Sequence, residues 1–185
     1  IERVIDFTIL KNGKKMVKID GKPIKKTADL LNNIVVVIFS PEDIGIIKDS
    51  PDKRRIFIDK ELCQIRTGYY ECLKNYKEAL KNKNILLKNK EISDIDGLLD
   101  VYDEQIVKYG SQIIDYRSAF IDMLADRSWE IQNKISNGKE KLEIKYKPSS
   151  EKIYLRDRIK EARKKDKIRG YASVGPHRDD IEFYI

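Results

Sequence analysis

A chain of 185 residues, 41% hydrophobic and 37% charged, is long enough to bury a core and amounts to one domain or one piece of a larger one. It contains no run of about 18 apolar residues and no recognisable signal peptide, so neither a membrane-crossing helix nor export is expected, and the location expected is cytoplasmic. The net charge of +7 is concentrated: Lys139 to Gly170 holds 13 of the 38 Lys and Arg but only 6 of the 31 Asp and Glu, and the rest of the chain is balanced. Such a segment is either a solvated helix face or a surface for a phosphate backbone. Cys63 and Cys72 lie nine apart, a spacing that suits neither a zinc knuckle nor a redox C-x-x-C pair; they read as reduced core thiols.

In chain order, Ile1 to Ile19 alternates as strands about a turn at Asn12-Gly13, a strong hairpin signal. A second turn at Asp20-Gly21 leads through Pro23 to a short helical stretch at Thr27 to Leu31. The apolar run Val35 to Phe39 has the form of a buried strand. Ser40-Pro41-Glu42-Asp43 then supplies a cap, a proline for the first helical position and acids for the dipole. Ser50-Pro51-Asp52 repeats that start signal and delivers Lys53-Arg54-Arg55 into a first or second turn, where cations oppose the helix dipole. Arg54 and Arg55 are therefore solvated, paired with Asp52 or Asp59, or placed for an anion that needs two guanidinium forks.

From Tyr69 the apolar period becomes helical. Tyr69, Leu73, Tyr76, Leu80 and Leu87 step by four, three, four and seven, with Lys83 in the skipped seam position. After a break at Ser93-Asp94, which can cap, Ile95, Leu99, Tyr102, Ile106, Tyr109, Ile113, Tyr116, Phe120 and Met123 alternate fours and threes, the spacing of a helix–helix seam. A helix from Ile95 to about Ile135 would be roughly 60 Å long. The stripe Val107, Ile114, Ile121 and Leu124 widens the apolar face, which predicts an arm folded back on itself, its tyrosines at the core edge rather than stacked on bases. Asn137-Gly138 ends the helix. Leu142, Ile144 and Tyr146 alternate as a strand, and Pro148-Ser149-Ser150-Glu151 starts a basic helix that runs to about Lys167. That helix carries Arg156, Arg158, Lys160, Arg163, Lys164, Lys165 and Lys167 around one buried stripe of Leu155, Ile159 and Ala162. Gly170 closes it, and a last strand spans Ile181 to Ile185.

Gly175-Pro176-His177-Arg178-Asp179-Asp180 packs the only histidine, an arginine and two aspartates behind a forced turn. A metal site on His177, Asp179 and Asp180 lacks a second histidine. A kinase catalytic loop would need an asparagine where Tyr184 stands, and no glycine-rich loop precedes it. The remaining reading is a turn whose Arg178 and Asp179 pair with other loops at a nucleotide or subunit interface. The glycines nowhere form a phosphate loop or a dinucleotide fingerprint, and no nucleophile is activated, so the chain is not a complete enzyme by its own residues.

The stretches Phe39 to Asp43, Ser50-Pro51-Asp52-Lys53-Arg54-Arg55 with Phe57 and Asp59, Tyr69 to Tyr76, Leu80 with Asn84 and Leu87, and Gly175 to Asp180 closely resemble, in order and spacing, the bacterial RecF DNA replication and repair family. Thr67, Lys83 and Ala172 depart from the usual proline, arginine and threonine. The resemblance implies an α+β fold: part of an ATP-binding-cassette-type head (antiparallel strands and mixed sheet) with an inserted antiparallel helical arm. Residues 1–50 would be head-associated strands and short helices, 51–136 the arm, and 137–185 the return to the head. It also implies an internal piece of a longer protein, with the P-loop before Ile1 and the signature and acidic magnesium motif after Ile185. The parent would be a weak ATPase using ATP and Mg, while this piece alone would be inactive and hold no cofactor. Implied partners are DNA at single-strand/double-strand junctions, RecR and RecO proteins and, in the parent, a second copy in an ATP-dependent homodimer. The implied work is recombinational repair of gapped DNA, replication-fork maintenance and SOS induction. On charge and the family's general mechanism, Arg54, Arg55, Arg156, Arg158, Lys160, Arg163, Lys164 and Lys167 are the expected DNA or interface residues. His177, Arg178 and Asp179 would brace the head near the nucleotide or dimer face. The competing expectations are a protein-interaction arm with no nucleic-acid contact and, last, a metal phosphoesterase on His177 and the two aspartates.

Overall fold

The Asn12-Gly13 signal forms its hairpin. Gly13 takes φ 79°, the Asn12 side chain accepts the Lys14 N–H (3.0 Å), and β1 (Ile5–Ile9) pairs antiparallel with β2 (Lys15–Ile19), Ile5 opposite Ile19 and Ile9 opposite Lys15. Asp20 and Gly21, both at positive φ, return the chain into β3 (Lys22–Pro23), giving a sheet in the order β1-β2-β3. The computed structural model describes residues 3–31, 33–38, 40–89 and 95–185.

Two expectations for the next segment are corrected. Val35 to Ile38 is exposed and forms no strand; Phe39 lies outside the described residues. An extended apolar run needs a paired edge, and among the described residues only the Val36 N–H of this run is engaged, by the Gln64 side chain (2.8 Å). The Ser40-Pro41 signal yields a 3-10 turn (Pro41–Ile44) and the single helical turn α1 (Gly45–Lys48) rather than a full helix. Its cap is inverted, with the Asp43 carboxylate accepting the Ser40 N–H at 2.7 Å. The second start signal does open a helix, α2 (Pro51–Ile65), with Pro51 at its first position, although Ser50 makes no side-chain capping bond. The expected helical stretch after Pro23 is a 3-10 turn, Thr27–Leu30.

The predicted arm is present. α3 (Thr67–Lys88) lies antiparallel along α4 (Ile95–Ile135), which reaches about 60 Å at 1.5 Å per residue. The break at Ser93-Asp94 lies outside the described residues. Asn137 (φ 52°) and Gly138 (φ 74°) end α4 in left-handed conformation, as the sequence predicts. The buried line of α4 is displaced from the expected one: Leu99, Asp103, Ile106, Gly110, Ile113, Arg117 and Ile121 face inward, while Tyr102, Tyr109, Tyr116 and Phe120 flank them half-buried and Met123 is exposed. Asp103 and Arg117 occupy core positions because each is paired there. Gly110 lets neighbours close in: a Cβ at that position would lie 3.3–3.4 Å from Leu155, Pro176 and Tyr76.

β4 (Glu143–Lys147) and β5 (Asp180–Tyr184) form a second antiparallel pair, Ile144 opposite Phe183. Between them a 3-10 turn (Lys152–Tyr154) leads into the basic helix α5 (Leu155–Arg169), which starts later than the expected Pro148–Glu151 signal, ends two residues beyond the expected Lys167 and is closed by Gly170 at φ 75°. The architecture is thus α+β, with two small antiparallel sheets and a dominant helical hairpin. One core joins Ile58 and Leu62 of α2, Tyr69, Leu73 and Tyr76 of α3, Ile106, Ile113 and Ile121 of α4, Leu155 and Ile159 of α5, and Ile144 and Ile181 of the second sheet. Each fully buried Leu or Ile there contributes about 1.5–3 kcal/mol. No described helix is long and apolar enough to cross a membrane.

Candidate functional site

The turn at Gly175 sits where the root of the arm meets the second sheet. Gly175 has φ 134° and ψ 174°, a region open in practice only to glycine, and a Cβ would fall 2.5 Å from the Tyr76 hydroxyl. Pro176–Arg178 then turn as a 3-10 helix. His177 is held by both ring nitrogens, Nδ1 at 2.6 Å from the Tyr76 hydroxyl and Nε2 at 3.0 Å from the Ala172 carbonyl. A carbonyl only accepts, so Nε2 carries the proton and Nδ1 accepts from tyrosine, which defines a neutral imidazole. Burial, helped by the charges of Arg178, Arg55 and Lys83, lowers its pKa to about 4.

That shift gives a pH prediction. A histidine depressed from 6.5 to about 4 on folding contributes its full stability above pH 6.5, and the contribution is lost as pH falls toward 4, because the unfolded state binds the proton first. The loss attributable to His177 is about 3 kcal/mol. Urea unfolding from pH 7.5 down to 4 should show a steeper decline for the natural chain than for His177→Gln; parallel profiles would refute the buried neutral histidine.

The two aspartates are used differently. Asp179 is 1% exposed; its carboxylate accepts the Ser149 N–H (2.7 Å), the Tyr146 hydroxyl and Arg117 Nη1 (3.3 Å). Burial pushes this carboxyl upward against the pull of those donors. Asp180 receives a two-pronged bond from Arg54, Nε to Oδ1 at 2.7 Å and Nη2 to Oδ2 at 3.0 Å; this outweighs the cost of burial and holds its pKa below the ordinary value. Arg54 also donates to the Asp49 carbonyl (2.7 Å), while Arg55 donates to the Asp179 carbonyl and to Asp52. The two arginines therefore fasten α2 to the turn, and of the expected ion pairs only that of Arg55 with Asp52 is made. Arg178 is exposed, its guanidinium 5.2 Å from the centre of the Tyr171 ring.

The residue that joins these parts is Arg117, which the sequence reading missed. Its side chain is 4% exposed and contacts three other elements: Asp59 of α2 (2.8 Å), the Tyr69 hydroxyl of α3 (3.1 Å), and the Pro176 carbonyl and Asp179 of the turn (2.7 and 3.3 Å). Burial opposes its charge, but Tyr69, Asp59 and Tyr146 outweigh it and raise the pKa further. The signal was legible: Arg117 is four residues after Ile113 and four before Ile121, a cation on the buried stripe.

The basic helix divides in two. Arg163 pairs with Asp96, Asp100 and Asp103 of α4, Lys167 with Asp96 (2.6 Å), and Arg156 with Glu104. Asp103 also meets Lys83 Nζ at 2.6 Å, a buried pair within the arm. Arg158 pairs only along its own helix, with Glu161 (3.2 Å), and Lys160 and Lys164 are exposed with no partner among the described residues. Composition could not show that Arg156, Arg163 and Lys167 answer acids of α4 lying 52 to 71 positions earlier in the chain. No cluster of three potential metal ligands occurs among the described residues, and His177, Asp179 and Asp180 are each engaged by protein groups.

A helical hairpin whose root is locked by a buried arginine to a histidine-bearing turn and a two-stranded sheet is an arm-on-base unit. Along 98% or more of its length the chain is similar to RecF proteins. It is 41% identical over 182 residues to the DNA replication and repair protein RecF of Agathobacter rectalis, covering 98% of this chain and 50% of that protein. It is likewise 41% identical over 190 residues to RecF of Clostridium botulinum, covering all of this chain and 52% of the relative. Two solved structures match 98% of the chain and 52% of theirs: the recombination mediator protein RecF-ATPrS in the RecFOR pathway (TM-score 0.87, 33% identity) and RecF-ATP in the same pathway (TM-score 0.84, 34% identity). No family model matches. The chain thus spans about half the length of the curated relatives it matches.

Proposed function

We propose that this chain is the arm-bearing segment of a RecF-like, ATP-dependent DNA-binding protein that works in recombinational repair of gapped DNA, with roles in replication-fork maintenance and SOS induction. The observation that carries the reading is the match of sequence and fold along 98% of the chain to RecF in complex with ATP or ATPrS. On this reading residues 1–50 and 137–185 belong to an ATP-binding-cassette-type head and 51–136 form the arm. ATP and Mg bind in the parent protein, which pairs with a second copy, engages RecR and RecO, and resides in the cytoplasm. His177 and Asp179 act as braces, one holding Tyr76 and the other Arg117, so that the base of the arm follows the turn; Arg178 reaches outward for a nucleotide or a second head. Arg54 and Arg55 support that interface from α2; on α5, Arg158, Lys160 and Lys164, which no acid of α4 neutralises, make the helix the basic side of a DNA-binding surface, while Arg156, Arg163 and Lys167 hold it against the arm through their α4 acids.

The test is fluorescence anisotropy of labelled gapped duplex with the full-length protein, with and without ATP, across a salt series. Binding that strengthens with ATP and weakens linearly in log salt is expected. A competing reading, an arm that only recruits proteins, draws on the exposed Trp129, Ile131 and Ile135 at the end of α4; it predicts no DNA binding under any of these conditions.

A further inference from the structure

Two rows of cations from helices far apart in sequence meet at Gly170. On α3, Lys81 and Lys88 stand seven residues apart, with Asn84 between them on the same face. That face is turned toward the end of α5: the Asn84 side chain accepts the Ala172 N–H at 2.8 Å, and the Lys88 side chain lies 3.4 Å from where a Cβ on Gly170 would sit. On α5, Lys165 and Arg169 are four residues apart and reach the same end. All four are exposed, and none has an acidic or hydrogen-bonding partner among the described residues. In this they differ from Arg156, Arg163 and Lys167, which α4 neutralises.

The end of a helix accounts for part of this charge. α3 and α5 both finish here, and each C-terminus presents about half a negative charge. Two such ends offset roughly one of the four cations, which leaves an excess with no counter-charge among the described residues. The seven-residue step on α3 is about 10 Å and the four-residue step on α5 about 6 Å, spans comparable with about three and two phosphate steps of one strand at about 3.4 Å each along a duplex axis.

We infer that Lys81, Lys88, Lys165 and Arg169 form a two-helix site for the phosphate backbone of a nucleic acid at the junction of α3 and α5, while the acid-paired cations of α5 hold the helix in place. The assignment rests on the DNA-binding reading above and specifies which surface carries it. It is tested in the full-length protein with the fourfold variant Lys81→Ala, Lys88→Ala, Lys165→Ala and Arg169→Ala. A control removes four exposed lysines elsewhere: Lys11→Ala, Lys14→Ala, Lys60→Ala and Lys139→Ala. Anisotropy with a labelled duplex is read between ~50 and ~200 mM salt. The fourfold variant should lose about tenfold or more in affinity and reduce the log–log salt slope by about 3–4, at roughly 0.9 per phosphate contact, with unfolding midpoints unchanged; the control should do neither. If the unaltered protein binds no DNA at any salt, the functional reading itself fails. If it binds and the variant keeps its affinity and slope, or loses no more than the control, this site is wrong and the reading stands.

Discussion

Replacing Arg117 with methionine is expected to lower the unfolding free energy by about 3–5 kcal/mol, the largest effect of any single substitution proposed for this chain. The substitution leaves Asp59 and the fully buried Asp179 without their shared cation, the Tyr69 hydroxyl without a donor, and the Pro176 carbonyl with only the long bond from the Asp179 N–H (3.4 Å). An uncompensated buried carboxylate costs far more than the methionine side chain regains by packing. Arg117→Lys keeps the charge but not the fork that reaches three elements at once, so it should recover less than half of the loss. Urea unfolding at pH 7.5 checks both. A loss below about 1 kcal/mol, the range of exposed pairs, would mean that the guanidinium is replaceable by water and is not the joint described here.

The second large effect is expected at Lys83. Its ammonium is 1% exposed and lies 2.6 Å from Asp103 Oδ1, as an ion pair without an aligned hydrogen bond to that oxygen; Arg163 Nη2 holds Oδ2 at 2.7 Å. Lys83→Met removes half of the compensation for a buried carboxylate, and the cost should be about 3 kcal/mol, the low end for a broken buried pair, because Arg163 remains. Lys83→Met combined with Asp103→Leu should recover most of that stability, since Arg163 keeps Asp96 and Asp100. This non-additivity is the signature to measure. If the double variant is as unstable as the sum of the singles, the pair is not coupled and the loss is one of packing.

Local signals carried much of the fold. Asn12-Gly13, Ser50-Pro51, Asn137-Gly138 and Gly170 mark turns and helix ends through their own backbone preferences, and each marks the boundary expected of it. The hairpin was legible because alternating steps of three and four leave no other periodic structure. What misled was polarity: Asp103 and Arg117 look like surface residues, so the seam was drawn through the tyrosines one position away. Only the tertiary partners, Lys83 with Arg163 and Asp59 with Asp179, make those positions inward-facing. Val35 to Ile38 failed for a related reason, since apolar composition specifies burial but not the neighbour that provides it. At the candidate site the Gly175 to Asp180 turn was singled out by composition, while its connection to the arm depends on a contact spanning 59 residues, between Arg117 and Pro176. Pairings of that kind have no local periodicity to reveal them.

The central claim is that Arg117 makes the Gly175–Asp180 turn and the root of the arm a single unit. Amide hydrogen exchange on the full-length protein and on its Arg117→Met variant tests it most directly. The account predicts that protection falls together in three separated segments: the turn, α2 around Asp59 and the start of α3 around Tyr69. Faster exchange confined to the turns of α4 on either side of residue 117, with the Gly175–Asp180 turn as protected as before, would contradict it.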